Sequence, residues 1–435
     1  MAKKYLNKNV YAAAVARIAY LFKEFDNVLV SFSGGKDSGV CLNLCYDYAK
    51  ENGMLDKLAM YHLDYEAQYE MTTEHVTETF NRFDGIKKYW LCLPIEAQCA
   101  CRMDGAYWTP WAKENREIWV RQMPKNKYVI NEDNAPFEVK RGLTDKEMQD
   151  NFAKWFAQKH GKTALVIGIR ADESKDRYEL VTSTAYSLHI HRYKGLKWTV
   201  EDGDVCKVYP VYDWTVEDVW TYFGKYQKQY NRLYDLYYQS GLSVYQMRVA
   251  SPFNNCAMDT LKLYKVIDPN NWGKMTGRVN GVNFAGLYGG TTAMGWKTIK
   301  LPKGHTWKSY CYFLLSTLDD KLRKHYERIL ATSLEYWCEK GGFVADEIMP
   351  EIEALKGDIS YEDKGKSKRY SNQRILKFAQ YPDELDTKSF AKLPSYKRMC
   401  VCILKNDYFC KYMGFSATKE AIEKRHKTLE KYKNL

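Results

Sequence analysis

Ser33-Gly34-Gly35-Lys36-Asp37-Ser38 is the stretch of this 435-residue chain whose residue types and spacing are best suited to chemistry. It follows a short apolar run, Val28-Leu29-Val30-Ser31-Phe32, and leads into a helical pattern from about Ser38 to Glu51. Gly34 and Gly35 let backbone N–H groups approach an anion closely, and a helix N-terminus adds free N–H groups and a positive dipole end. Ser33 and Ser38 supply hydroxyls, and Lys36 supplies a point charge for a phosphate. Asp37 could hold Mg²⁺ or orient the loop. A Walker A loop needs G-x-x-x-x-G-K followed by Ser or Thr. Here Asp follows Gly-Lys and no glycine stands five positions before Gly35, so a kinase-type P-loop is disfavoured.

The elements that must position this loop read as alternating strands and helices. Residues 10–25 follow a helical period, 58–63 a buried strand, 70–82 a helix, and about 88–93 another strand. The next clear strand is Ala164 to Ile169. Strands separated by helix-length segments imply right-handed βαβ units and a parallel sheet. Such sheets bind ligands at the carboxyl ends of their strands. Arg170, just past a buried strand, should emerge at that edge beside Ser33–Ser38, where it suits a phosphate or sulfate; the alternative is a surface ion pair. Glu173 holds either Arg177 or a metal. Asp64, ending His62-Leu63-Asp64, is placed to reach a ribose or Mg²⁺, or has a structural role alone.

Residues 99–150 are rich in Trp, Tyr, Pro and charge and read as an insertion over the sheet edge. Within it, Tyr107-Trp108-Thr109-Pro110-Trp111 to Trp119-Val120-Arg121 interleaves aromatics with Lys113, Arg116, Arg121, Lys125 and Lys127. That mixture fits base stacking, a lid over a pocket, or a protein interface. From 215 the pattern is helical, with Thr215 as N-cap and Glu217 and Asp218 in the first turn. Residues 273–305 are glycine-rich, and 309–340 carry apolar residues every three or four positions, a long amphipathic helix or helix pair. The remainder reads as helical and basic, with 364–369 an exposed loop and a charged helix over 418–433. The expected partition is an α/β domain over 1–250 and a mainly helical basic region over 251–435.

Composition bounds the rest. The apolar fraction is 45% and the charged fraction 28%, ordinary globular values that exclude a disordered or collagen-like chain. No run suits a membrane span, and Arg17, Lys23 and Glu24 interrupt any secretory signal, so a cytoplasmic location is expected. The net charge is +12, of which residues 301–435 hold +7 (26 Lys and Arg against 19 Asp and Glu). That suggests an anionic partner: a nucleotide, DNA or RNA, or an acidic protein. Twelve cysteines read as free thiols with room for one metal cluster. Cys92, Cys99, Cys101 and Cys256 could hold zinc or an iron–sulfur centre, and His189 with His191 forms a further candidate pair.

The loop, the first strand and two later segments resemble the PP-loop superfamily of ATP pyrophosphatases and phosphoadenosine phosphosulfate (PAPS) reductases. Its signature, S-G-G-x-D-S after the first strand, matches Ser33–Ser38. Gly168-Ile169-Arg170-Ala171-Asp172-Glu173-Ser174, with Arg177, is similar to the G-x-R-x-x-E-S motif of the PAPS reductase branch. Tyr209-Pro210-Val211-Tyr212-Asp213-Trp214-Thr215 with Asp218-Val219-Trp220 resembles that branch's P-L-x-D-W-T…D-V-W segment. The resemblance implies an adenine nucleotide alpha hydrolase-like (HUP, Rossmann-like) parallel-sheet domain that binds ATP or PAPS with Mg²⁺. It implies catalytic roles for Lys36, Asp37 and Arg170, and nucleotide binding by Ser33, Gly34, Gly35, Ser38, Asp64, Glu173 and Arg177. Asn231 to Asp235, Gln246-Met247-Arg248 and Trp272-Gly273-Lys274 resemble a subgroup that includes immunoglobulin-binding regulator A type coactivators, commonly paired with a ParB-like protein. True PAPS reductases carry a C-terminal Glu-Cys-Gly-x-His-type segment; here Cys400, Cys402 and Cys410 lack those neighbours. The expected activity is therefore cleavage of ATP at the α-phosphate, adenylylating an acceptor with release of pyrophosphate. The alternatives are sulfonucleotide reduction or sulfotransfer and, in another class, a nucleic-acid-binding transcriptional coactivator.

Overall fold

The computed structural model describes residues 7–415 apart from 103–105, 183–190, 250, 289–298, 300, 356–358, 367–372, 386–392 and 406. The chain forms two compact units, 1–97 with 108–278 and 98–107 with 279–435. The division after Arg278 lies beyond the position near 250 suggested by composition, and the first residues of the expected insertion go with the second unit. The helix expected over 418–433 lies outside the described residues, as does His189.

The first unit is built on seven strands: β1 (Asn27–Ser31), β2 (Leu58–Leu63), β3 (Lys87–Leu91), β4 (Val129–Ile130), β5 (Thr163–Val166), β6 (Thr199–Asp202) and β7 (Val205–Val208). Their order is β4-β3-β2-β1-β5-β7-β6, parallel throughout except for the β6–β7 hairpin. Val28, Leu29 and Val30 of β1 and all six residues of β2 are buried, as expected of parallel strands covered on both faces. Register pairs Val30 with Met60 on one side and with Val166 on the other. From β1 the chain proceeds outward to β2 and β3, then returns to place β5 on the opposite side. That reversal opens a crevice beyond the carboxyl ends of β1 and β5.

Helices α1 (Val10–Glu24), α2 (Lys36–Glu51), α3 (Glu70–Arg82) and α4 (Asp145–His160) connect and flank these strands. Each start has a local cause. The Asn9 side chain accepts the Ala12 N–H at 2.8 Å, and Thr144 and Glu147 form a reciprocal capping box. Gly161, at φ +99, ends α4 in a conformation a side chain would strain. Beyond the sheet come α5 (Lys175–Thr182), α6 (Val216–Lys225), α7 (Leu233–Gln239) and α8 (Pro269–Arg278). Thr215 caps α6, its hydroxyl accepting the Asp218 N–H at 3.2 Å.

Two histidines beneath the crevice make the first unit acid-sensitive. His62 is 1% and His75 8% exposed, and both rings lie near Phe32. Burial pushes His75 from the usual 6.5 down to about 4, with Arg82 and His62 acting in the same direction. The unfolded chain therefore binds more protons, so the contribution is whole above pH 6.5 and is lost as pH falls through 4. It amounts to about 3 kcal/mol. Urea titrations at pH 7 and 4.5 should show a stability loss of at least that order, with His62 adding to it, and His75→Gln should remove the His75 share.

The second unit contains α9 (Val282–Tyr288), α10 (Trp307–Ser316), α11 (Asp320–Leu334), α12 (Met349–Ala354) and α13 (Tyr396–Leu404). The amphipathic stretch over 309–340 is thus a helix pair. Trp307, Leu314, Tyr326, Met399, Cys400 and Cys402 share its core, so the C-terminal cysteines are packed interior residues. The helical remainder expected after 340 is interrupted by an antiparallel sheet of β8 (Gly342–Ala345), β9 (Tyr361–Lys366) and β10 (Gln373–Phe378), with β10 central. Residues 364–366, expected in a loop, belong to its edge strand. Among the described residues, no helix is long and apolar enough to cross a membrane.

Candidate functional site

The loop after β1 enters the crevice with a fixed shape. Gly34 sits at φ +79, and a Cβ there would lie 3.0 Å from Thr72 and 3.2 Å from Val76 of α3. Gly35 is the N-cap of α2, so the helix begins at Lys36 rather than near Ser38. The Ser33 and Ser38 hydroxyls are 3.0 Å apart, and Ser38 donates to the Gly35 carbonyl at 3.1 Å. The Asn231 amide donates to the Gly34 carbonyl (3.2 Å) and to Thr72 Oγ1 (3.0 Å). The phenol oxygen of Tyr234 accepts the Lys36 N–H at 3.1 Å.

The loop after β5 packs directly on this helix start. A Cβ on Gly168 would fall 2.7 Å from the Asp37 carbonyl carbon and 2.8 Å from the Ser38 nitrogen, both backbone atoms with little room to yield. Gly168→Ala should therefore cost about 1–3 kcal/mol through overpacking. An unchanged urea midpoint in this variant would contradict the close approach of the two loops.

Charge is concentrated between them. Lys36 and Arg170 are each 4% exposed. Asp37 joins them, with one oxygen 3.1 Å from Lys36 Nζ and the other 2.6 Å from Arg170 Nε. Glu173 pairs with Arg177 and stands 3.8 Å from Arg170. Arg248 donates to the Glu173 carbonyl at 3.4 Å. Burial pushes the Lys36 ammonium below the usual lysine range, against the pull of Asp37. A cavity of about 210 Å³ opens among these groups, with Ser33, Ser38, Tyr234 and Cys256 also on its walls. Cys256 is exposed on this wall, beside Arg177 and Arg248.

The structure thus brings together Ser33, Gly35, Lys36, Asp37, Ser38, Glu173 and Arg177 on one cavity, with Gly34 shaping the loop and Arg170 bonded to Asp37. Asp64 is not on that cavity. Fully buried, it accepts from Arg121 at 2.5 Å, from the Trp90 indole at 2.8 Å and from the Glu66 N–H at 2.9 Å. Burial alone would raise its carboxyl, but Arg121 and its other partners hold it below the usual carboxylate range. The aromatic–basic segment is anchored by Trp108, Trp111 and Arg121, while Lys113, Arg116, Lys125 and Lys127 are exposed. Trp108 and Trp111 are each 2% exposed, and Arg121 is committed to Asp64. Among the described residues, no group of three or more His, Cys, Asp or Glu side chains is arranged to hold a metal ion. Cys92, Cys99 and Cys101 are buried thiols.

Sequence reasoning missed Asn231 and Tyr234 as loop supports and gave Arg248 and Cys256 no place at the Ser33–Ser38 loop. Gln246-Met247-Arg248 carried a signal, as a subgroup motif without an assigned role. Asn231 and Tyr234 likewise lay in such a motif.

The phosphoadenosine phosphosulfate reductase domain family matches residues 27–241, and a domain of unknown function (DUF3440) matches 241–424. The uncharacterized protein YbdN of Escherichia coli (strain K12) is 32% identical over 425 residues, covering 96% of this chain and 93% of YbdN. Among solved structures, Candida glabrata FMN adenylyltransferase is 14% identical with a TM-score of 0.28, over 53% of this chain and 62% of that one. Candida auris PAPS reductase is 12% identical with a TM-score of 0.28, over 54% of this chain and 94% of that one. The chain belongs to the family of YbdN, with a PAPS reductase-like domain over residues 27–241 followed by a DUF3440 region.

Proposed function

We propose that this protein binds an adenine nucleotide at the Ser33–Ser38 loop and cleaves it at the α-phosphate, adenylylating an acceptor and releasing pyrophosphate. The observation that carries this reading is the pair of buried cations, Lys36 and Arg170, held on either side of Asp37 at the carboxyl edge of β1 and β5. Lys36, Arg170, Arg177 and Arg248 face Asp37 and Glu173, four positive side chains against two negative ones. A polyphosphate supplies the missing negative charge. As the acceptor bonds to the α-phosphorus and the bond to the pyrophosphate oxygen breaks, Lys36 and Arg170 neutralise the oxygens that gain charge. Preorganised donors in a dry site act strongly there.

Mg²⁺ fits this site as a cation bound mainly by phosphate oxygens and water, because it commonly needs only one or two protein carboxylates. Asp37 would hold it, each of its oxygens keeping a lone pair beyond its present bond. Mg²⁺ would supply further charge neutralisation on the phosphates. The test is incubation with ATP, Mg²⁺ and candidate acceptors. Pyrophosphate should appear in step with adenylylated product, and failure to bind ATP or its analogue AMPCPP in calorimetry would overturn the reading.

Cys256 supports a second reading, sulfonucleotide reduction or sulfotransfer, because a thiol lines the same cavity as Arg177 and Arg248. With an added dithiol reductant to resolve the thiosulfonate that Cys256 would form as adenosine bisphosphate leaves, sulfite release from PAPS, lost in Cys256→Ser, would select it.

A further inference from the structure

A second cavity, of about 380 Å³, adjoins the first and has a different chemistry. Its walls include Trp220 from α6, Tyr230 from the following loop, and Tyr234, Asp235, Tyr238 and Gln239 from α7. Trp220 stands edge-on to Tyr230 (5.2 Å, 84°) and to Tyr234 (5.3 Å, 81°), forming an aromatic corner. The Trp220 indole N–H is buried and has no partner among the described residues, a costly state unless an acceptor meets it. Tyr238 is 69% exposed and makes no ring contact among the described residues, leaving its face free to stack.

Asp235 and Gln239 lie one helical turn apart and so share a face of α7. The Asp235 carboxylate accepts from Tyr230 (2.8 Å) and Arg232 (3.0 Å), one bond to each oxygen, and can accept more. The Gln239 amide both donates and accepts. Flat aromatic walls with a carboxylate and an amide at the edge are the chemistry that stacks a nucleobase and reads its hydrogen-bonding groups.

Tyr234 and Met247 stand between the two cavities. Tyr234 is 3% exposed and its oxygen is tied to the Lys36 N–H. The Met247 carbonyl accepts from Lys36 Nζ at 3.4 Å on one side, while Met247 lines the aromatic cavity on the other. Tyr234 and Met247 thus stand between a ring in the aromatic cavity and phosphates resting on Ser33–Ser38.

We propose that the pocket formed by Trp220, Tyr230, Tyr234, Asp235, Tyr238 and Gln239 binds a nucleobase of the acceptor, as a second ligand beside the phosphate cavity. Its designation as an acceptor site rests on the reading of the phosphate cavity given above; its affinity for a base does not.

The test is a fluorescence titration of the full chain with 2-aminopurine riboside and with a single-stranded oligonucleotide carrying one 2-aminopurine, each with and without AMPCPP. Saturable quenching is expected in both AMPCPP conditions. Tyr238→Ala, at an exposed position, should weaken it roughly tenfold or more. Gln239→Ala should keep the quenching but reduce discrimination between bases in competition. Equal affinity for riboside and strand identifies a free nucleoside, and tighter, salt-sensitive binding of the strand identifies nucleic acid; either supports the pocket. Absence of quenching with both probes, an unchanged affinity in Tyr238→Ala, or loss of quenching on adding AMPCPP would overturn it. Quenching that persists in a protein unable to bind AMPCPP would leave the pocket standing and remove the reading of the phosphate cavity.

Discussion

Lys36→Met should lower pyrophosphate release by about two to three orders of magnitude and weaken AMPCPP binding by about tenfold to a hundredfold. The side chain is almost wholly enclosed, and its ammonium is spent on Asp37 and the Met247 carbonyl until a phosphate arrives. Methionine keeps the length and removes the charge. The backbone N–H that Tyr234 caps is unaffected, so the start of α2 should keep its geometry. Removing a desolvated cation should also leave stability unchanged or raise it, because burial already disfavours the charged form of Lys36. The combination distinguishes a functional lysine from a structural one: activity falls while the urea midpoint holds. A variant that loses stability and activity together would contradict this account of Lys36.

Glu66→Ala should destabilise the first unit by about 3–5 kcal/mol. Glu66 is fully buried just beyond β2, in a left-handed conformation at φ +63. Its carboxylate accepts from the Trp111 N–H (2.7 Å), the Val120 N–H (3.0 Å) and Arg278 (2.9 and 3.2 Å). It thereby fastens both the aromatic segment and α8 to the end of β2. Alanine would strand a guanidinium that is 6% exposed and two buried N–H groups. Glu66→Gln, which keeps an acceptor but leaves the Arg278 charge unpaired, should fall between alanine and the native protein. A urea titration showing less than about 1 kcal/mol for Glu66→Ala would contradict a fastening role.

The same network shows where a sequence can and cannot be read. β2 and α3 follow the expected spans 58–63 and 70–82, because uninterrupted apolar residues and a 3.6-residue period leave little choice. Ser33–Ser38 and the Gly168 segment were legible because each is contiguous and ends a buried strand. Tyr234, Arg248 and Arg278 meet their partners only across large sequence separations, as between Lys36 and Tyr234 or Glu66 and Arg278, and no local pattern marks such a pair. Asp64 shows the same limit. Its position at a strand's end suits a ligand, but Arg121 from the anchored segment claims it. β9 escaped notice because Glu362, Asp363 and Lys364 are exposed on an edge strand, which reads as a charged loop.

The most direct test of the central claim is a structure of the protein with AMPCPP and Mg²⁺. The account predicts phosphate oxygens within hydrogen-bond distance of Lys36 Nζ and of the Ser33–Ser38 loop, with Arg170 turned toward them. Phosphates bound elsewhere, with the Lys36–Asp37–Arg170 chain undisturbed, would contradict it.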